Sequence, residues 1–299
     1  MLGNLFKISL RLLWRERFFT LQNIAGLAIG LAAAVFMFVW VQDELTFDRF
    51  HTKGDRIYRV LTNWKFGENR EWTSASPAPL ADESRDVVPG MDKMVRTRNL
   101  GAKTFAIGAN VVALEKVGLA ENGFFDIFDF KFLSGNAQTA LAHPDNVVLT
   151  ETAARKIFGK IPEIGESLRH TEYGYFQVGA ILRDFPTNSS IQYDCIFPWT
   201  ANVGRFFKDP ANEIRWGQIN GTIWVLLRPD ADPADVATRF SAVAGKFRTG
   251  DEAFFFALQK VRDIHLHSTF LRWGDPDSRT TIVAVGLIGL MVLLIACIN

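Results

Sequence analysis

Two long apolar runs bracket a mixed polar middle. From Ile24 to Val41 the chain reads IAGLAIGLAAAVFMFVWV without a charge, and from Ile282 to Ile298 it reads IVAVGLIGLMVLLIACI. Neither run has an amphipathic stripe, and a helix apolar on every face belongs in lipid or in the centre of a large protein. Counted from Leu21, the first run approaches the roughly 20 residues that cross the hydrocarbon as a helix. The second is slightly shorter. Both are expected to be membrane spans, the first over 21–42 and the second starting at 282. A cleaved signal peptide is the alternative for the first, with Ala32–Ala34 as small residues at a cleavage site. The apolar run continues past them, which argues against cleavage. Gly26 and Gly30, four apart, make a small-residue face on which a second helix can approach closely.

Between the runs the pattern switches to short alternating stretches. Strands are expected at Arg56–Phe66, at MVRTRN and KTFAI, at NVVALEKVGL, NVVLT, YFQVGAIL and GTIWVLL, and at EAFFFALQKV. Three helices announce themselves by their ends. Ser76-Pro77 opens PAPLADESRDVV, which Pro89-Gly90 closes. Thr150 precedes ETAARKIF, with Gly159 at its stop, and Asp232-Pro233 precedes ADVATRFSAVAGKF. The resulting order is β-α-β, several strands with one helix, then β-α-β. Paired βαβ units predict a split α+β sandwich over 43–280 with a smaller α/β subdomain inserted. The porter-like part is expected at 46–108 and 203–280, and the insert at 109–202, from about Ala109 to Asn202.

Charge orients this layout. Lys7, Arg11, Arg15 and Arg17 precede the first run against Glu16 alone, while Asp43, Glu44 and Asp48 follow it. Positive charge stays inside, so the N-terminus is expected in the cytoplasm and the polar middle outside it. Lys7, Arg11 and Arg15 repeat every four residues on one helical stripe. Residues 1–20 therefore read as an interfacial amphipathic helix whose basic stripe meets lipid phosphates. Trp40 is placed at the opposite interface.

Composition narrows the function classes. With a formal net charge of +1, nothing points to a general nucleic-acid binder, and no nucleic-acid partner is expected. The two cysteines, Cys195 and Cys297, are placed too differently to form a disulfide framework. No phosphate loop, dinucleotide fingerprint, zinc-protease motif or nucleophile elbow is present, so no catalytic, cofactor or metal residue is assigned. His265 and His267 would share a face of a strand, yet two histidines do not complete a metal shell. Asp126 and Asp129 in FFDIFDF are one candidate carboxylate pair, with packing of the alternating Phe the better account. The stretch PTNSS (Pro186–Ser190) reads as an ordinary loop.

Several stretches carry a family resemblance. LRLLWRERFFTLQNIAGLAIGLA is similar to the start of ABC-transporter permeases of the MacB/FtsX type. VQDELTFDRFHTKGDRIYRV resembles the beginning of their periplasmic core domain. NGFFDIFDFKFLSGN, NVVLTETAARKIFG and VGAILRDFPTNSSIQYD resemble its middle, and LIGLMVLLIACIN the start of their second span. The resemblance implies a bacterial inner-membrane permease without an ATPase of its own. It implies a cytoplasmic ABC ATPase subunit as partner and pairing with itself or a related permease. The periplasmic domain would carry ATPase-driven motion outward for export or extraction of a substrate. Family members have further spans, so the chain reads as the N-terminal part of a longer permease. The competing reading with the same topology is the extracytoplasmic sensor domain of a two-span receptor.

Overall fold

A computed structural model describes residues 11, 14–108, 110–201, 215–219, 221–268, 271 and 278–298. The chain divides into two compact units, Met1–Thr46 with Asp277–Asn299, and Phe47–Pro276.

The first unit is built on two helices. Helix α1 (Arg17–Leu45) has 29 residues, about 43 Å at 1.5 Å per residue. The last helix runs from Ser278 to Ile298. Both are long and apolar enough to cross a membrane. They pack antiparallel at small residues. A Cβ added to Gly30 would stand 2.5 Å from the Cβ of Ala296, and one on Gly289 would stand 3.3 Å from that of Met37. Gly30 is the buried residue of α1. Of the two glycines expected to make a close face, Gly26 is exposed.

The second unit is an eleven-stranded sheet with helices. Its strands are β1 (Ile57–Phe66), β2 (Asn69–Thr73), β3 (Met91–Ile107), β4 (Asn110–Ala120), β5 (Phe132–Ser134) and β6 (Asn146–Thr150). They continue with β7 (Ser167–His170), β8 (Gly174–Leu182), β9 (Cys195–Pro198), β10 (Thr222–Leu227) and β11 (Phe255–Lys260). The main path is β11-β1-β10-β3-β4-β9-β6-β8-β5. Strand β10 is antiparallel to both β1 and β3, so β1 and β3 run parallel with one strand between them. Helix α2 (Pro79–Ser84) connects them. By the same logic β10 and β11 are parallel about β1, joined by α5 (Pro233–Ala244). These are the two interleaved βαβ units that the element order predicts.

Strand β3 belongs to both halves of the sheet. Its first residues, from Met91 to Thr97, pair with β10, and the stretch from Thr97 to Ile107 pairs with β4. MVRTRN and KTFAI, expected as separate strands, are one strand whose register shifts around Gly101. The backbone bends there without breaking the ladder. Helices α3 (Phe124–Ile127) and α4 (Glu151–Phe158) lie in the segment between β4 and β7.

Two helix ends form as their sequences require. Thr150 Oγ1 accepts from the Ala153 N–H at 3.3 Å, and Gly159 closes α4 in the left-handed region at φ 73°. Asp232 accepts from the Ala234 N–H at 3.0 Å, with Pro233 in the first helical turn. The helix expected from Ser76 is shorter and starts later. Ala78 is its N-cap and Pro79 takes the first turn, where no N–H is needed. Ser76 is instead held by the sheet: its N–H donates to the Gly221 carbonyl at 2.7 Å and its hydroxyl meets Thr62 Oγ1 at 3.0 Å.

The FFDIFDF stretch is a packing device. Phe124 and Phe128 are buried with ring centroids 4.9 Å apart, joined by Phe130 and Phe185 in one core cluster. Asp126 and Asp129 do not pair with each other. Asp126 meets Lys93 at 3.0 Å, and Asp129 accepts from Thr52.

Candidate functional site

The segment that follows α1 in sequence, 47–56, is fastened into the α/β unit at many points. Asp48 is fully buried, and among the described residues it is the one non-glycine with positive φ, at 56°. Aspartate tolerates that region better than most side chains. Here three contacts hold it. Its N–H donates to the Asn188 carbonyl at 2.9 Å, its Oδ1 accepts from the Ser190 N–H at 2.9 Å, and the Ser189 hydroxyl lies 3.3 Å from the same oxygen. Burial raises the Asp48 pKa, and the contacts from Ser190 and Ser189 oppose that rise. The loop PTNSS is thus a clamp on the incoming chain and not an ordinary connection. Sequence reasoning missed it because the partner lies 141 residues away.

Three residues on, His51 is also buried. Its Nδ1 accepts from the Asp129 N–H at 3.1 Å, which places the proton of the neutral ring on Nε2. The Phe50, Phe128 and Phe130 rings surround it at 4.1, 5.3 and 5.4 Å. Burial pushes its pKa down to about 4, with the Asp129 carboxylate opposing. Thr52 donates to Asp129 Oδ2 through its N–H at 2.7 Å and its hydroxyl at 2.9 Å. Lys53 Nζ reaches the Asp126 carbonyl at 2.8 Å.

The returning segment, 261–268, binds to the incoming one. Arg262 pairs with Asp55 at 2.6 Å and reaches the His51 carbonyl at 3.4 Å. Gly54 makes room for it, since a Cβ there would stand 2.7 Å from Arg262 Nε. His265 stacks on Phe47 with centroids 3.5 Å apart and planes 4° from parallel. The strand expected for His265 and His267 is not formed. They lie in a turn after a short 3-10 helix (Val261–Asp263), where the His267 N–H donates to the Asp263 carbonyl. No group of three metal-ligating side chains occurs among the described residues. Further ties reach the sheet. Arg59 donates to Gln259 Oε1 at 2.8 Å and to Ser268 Oγ at 2.7 Å, and Gln259 donates to the His267 carbonyl at 2.8 Å.

Cys195 is buried with its thiol pKa pushed up by burial, which keeps it protonated and inert. What the geometry does is join two chain segments to one another and to the sheet through short polar contacts.

The interface residues inferred from the sequence belong to the first unit. Lys7 lies outside the described residues. Arg11 and Arg15 are helical and exposed, and Trp40 sits on α1 at 36% exposure.

Residues 20–243 match the MacB-like periplasmic core domain, well over half of the chain. The chain belongs to this family. Among solved structures, a domain of a permease protein, so described, from Porphyromonas gingivalis aligns at 22% identity. That alignment covers 81% of this chain and 99% of that one, with a TM-score of 0.59, and shows a shared fold. The periplasmic region of MacB from Actinobacillus actinomycetemcomitans aligns at 16% identity over 68% of this chain and 88% of its own, TM-score 0.48. The extracellular domain of the noncanonic ABC-type transporter YknZ from Gram-positive bacteria aligns at 12% identity over 67% and 98%, TM-score 0.49. No curated protein matched the chain significantly. The MacB-like match starts at residue 20, inside α1, and ends at residue 243, in α5.

Proposed function

We propose that this chain is the permease part of an ABC transporter in the bacterial inner membrane. In this reading the two helices span the bilayer with the N-terminus in the cytoplasm, and the α/β unit lies in the periplasm. A cytoplasmic ABC ATPase drives the spans, and the 47–56 and 261–268 segments pass their motion to the sheet for export or extraction of a substrate. Lys7, Arg11 and Arg15 rest on lipid phosphates at the cytoplasmic face and Trp40 at the other interface. The permease pairs with itself or a related permease. Residues 109–202 act as an inserted subdomain on a porter-like base of 46–108 and 203–280. The observation that carries the reading is that one family match runs from an apolar helix into the α/β unit without a break.

The test is purification of the native protein from its own membrane. An ABC ATPase is expected to accompany it in stoichiometric amount. ATP hydrolysis should require that subunit and be absent from this chain alone. Robust hydrolysis by the isolated chain, or a signalling kinase in place of the ATPase, overturns the proposal.

A further inference from the structure

His51 fits its pocket in one protonation state. The residue is fully buried, its Nδ1 accepts from the Asp129 N–H at 3.1 Å, and among the described residues its Nε2 meets no acceptor. A second proton would set two donors face to face at Nδ1 and leave the cation without an acceptor at either nitrogen. The surrounding Phe50, Phe128 and Phe130 rings offer none. Nor do the charged groups make good the loss. The Asp129 carboxylate favours the cation, yet its Oδ2 already takes both Thr52 bonds. Asp126, on the same stretch, pairs with Lys93 at 3.0 Å. From the returning segment, Arg262 donates to the His51 carbonyl and opposes a second positive charge, Asp263 is exposed, and His265 stacks on Phe47. Burial dominates and holds the His51 pKa down at about 4.

The ties on either side are of another kind. Asp48 Oδ1 accepts from the Ser190 N–H, and a carboxyl group that takes a proton keeps a carbonyl oxygen able to accept. Asp55 pairs with Arg262 at 2.6 Å, and Lys53 Nζ reaches the Asp126 carbonyl at 2.8 Å. Of these groups His51 alone turns from acceptor to donor on protonation. Released into water, its ring takes a proton with the ordinary pKa of about 6.5. Acid therefore favours release, beginning below about 6.5 and growing as pH falls toward about 4. We propose that His51 is an acid-release catch: on taking a proton its ring leaves the pocket and frees residues 50–53 from the 128–130 stretch, while Asp48 and Asp55 stay tied and the sheet stays folded. The release stands on these contacts alone; that it uncouples a span from a periplasmic sheet rests on the permease reading.

The experiment is hydrogen exchange of the full chain in nonionic detergent at pH 7 and pH 5, read as protection factors so that the intrinsic pH dependence of exchange cancels. Protection of the Thr52 and Asp129 amides should fall at least about tenfold. At pH 5 both should remain less protected than Val225, which β1 and β3 flank in the sheet. His51→Asn, which keeps an acceptor but takes no proton, should remove most of the fall. Because that variant can weaken the pocket, His170→Asn serves as the second. It removes the other buried histidine and should leave the fall at Thr52 and Asp129 intact. Unchanged protection from pH 7 to pH 5, an equal fall in His51→Asn, or loss of the fall in His170→Asn would each overturn the proposal. So would Thr52 and Asp129 amides as protected as Val225 at pH 5, since the segment would then open only with the whole unit. None of these readouts involves an ATPase, so failure of the permease reading would leave them unchanged.

Discussion

Aromatic and aliphatic side chains meet opposite fates in the two units. On α1, Phe36 is 75% exposed and Ile29 is 71% exposed, whereas Phe105 and Phe124 of the α/β unit are 0% exposed. The difference is not one of composition, because both regions are rich in Phe, Val, Leu and Ile. It is one of cover. In the α/β unit, helices and neighbouring strands cover the apolar positions on both faces of the sheet, in several buried clusters. On α1 they occupy every face, and a single neighbouring helix covers little more than Gly30. A sequence of that kind is stable only where the surroundings are themselves apolar. The same exposed phenylalanine that would be an aggregation hazard in water is the expected surface in lipid.

Substitutions can break this comparison. The largest effect is expected from Phe124→Ala, which opens a cavity in the Phe124–Phe128–Phe130 cluster. It should cost about 3–5 kcal/mol in denaturant unfolding of the α/β unit. Phe36→Ala on α1 should leave that transition where it is.

Acidification should come next. His51 and His170 are both buried and held neutral, each with its pKa lowered to about 4, by burial first. The native state therefore binds fewer protons than the unfolded one between the ordinary histidine pKa of about 6.5 and about 4. Their contribution is fully present above that window and is lost as pH falls through it. Asp48 acts in the opposite sense, since its raised pKa makes the native state the better proton acceptor at lower pH. A flat denaturant midpoint from pH 7 to 4 would contradict the buried neutral histidines.

Ile29→Lys sharpens the lipid side. A lysine at the centre of a span costs about 2.5–3.5 kcal/mol of insertion on biological scales, so the membrane-integrated fraction should fall. Val111 is just as open, at 65%, yet Val111→Lys should change stability by no more than about 0.5 kcal/mol. Equal, small effects at both positions would mean that α1 faces water.

A smaller loss than that of the lipid-facing lysine tests the clamp. Asp48→Ala removes the acceptor for the Ser190 N–H and leaves alanine at positive φ, costing about 1–3 kcal/mol. Asp48→Asn keeps an acceptor oxygen and should retain most of that stability.

Much of this architecture could be read from residue order. The two apolar helices, the long strands β1, β4 and β8, and the capped helix starts at Thr150 and Asp232 each follow from local pattern and local chemistry. The strands β2, β5, β7 and β9 did not announce themselves, because each has only three to five residues. CIFP is a strand through its parallel pairing with β4 and its antiparallel pairing with β6, not through alternation. The clamp was illegible for a related reason. Nothing in PTNSS distinguishes a solvent loop from one whose backbone N–H meets a buried carboxylate, and Asp48 reads as one more acidic residue after a span. The His265–Phe47 stack likewise depends on two distant segments meeting. Local rules name elements and their ends; they do not name partners.

The most direct test of the account is cysteine labelling in intact cells with a membrane-impermeant maleimide. The background is Cys297→Ser, with Cys195 left buried. Val111→Cys should label in intact cells, Arg11→Cys only after the membrane is opened, and Ile29→Cys in neither case. Labelling of Arg11→Cys from outside, or of Ile29→Cys as readily as Val111→Cys, would contradict an α/β unit held outside the cytoplasm by an apolar span.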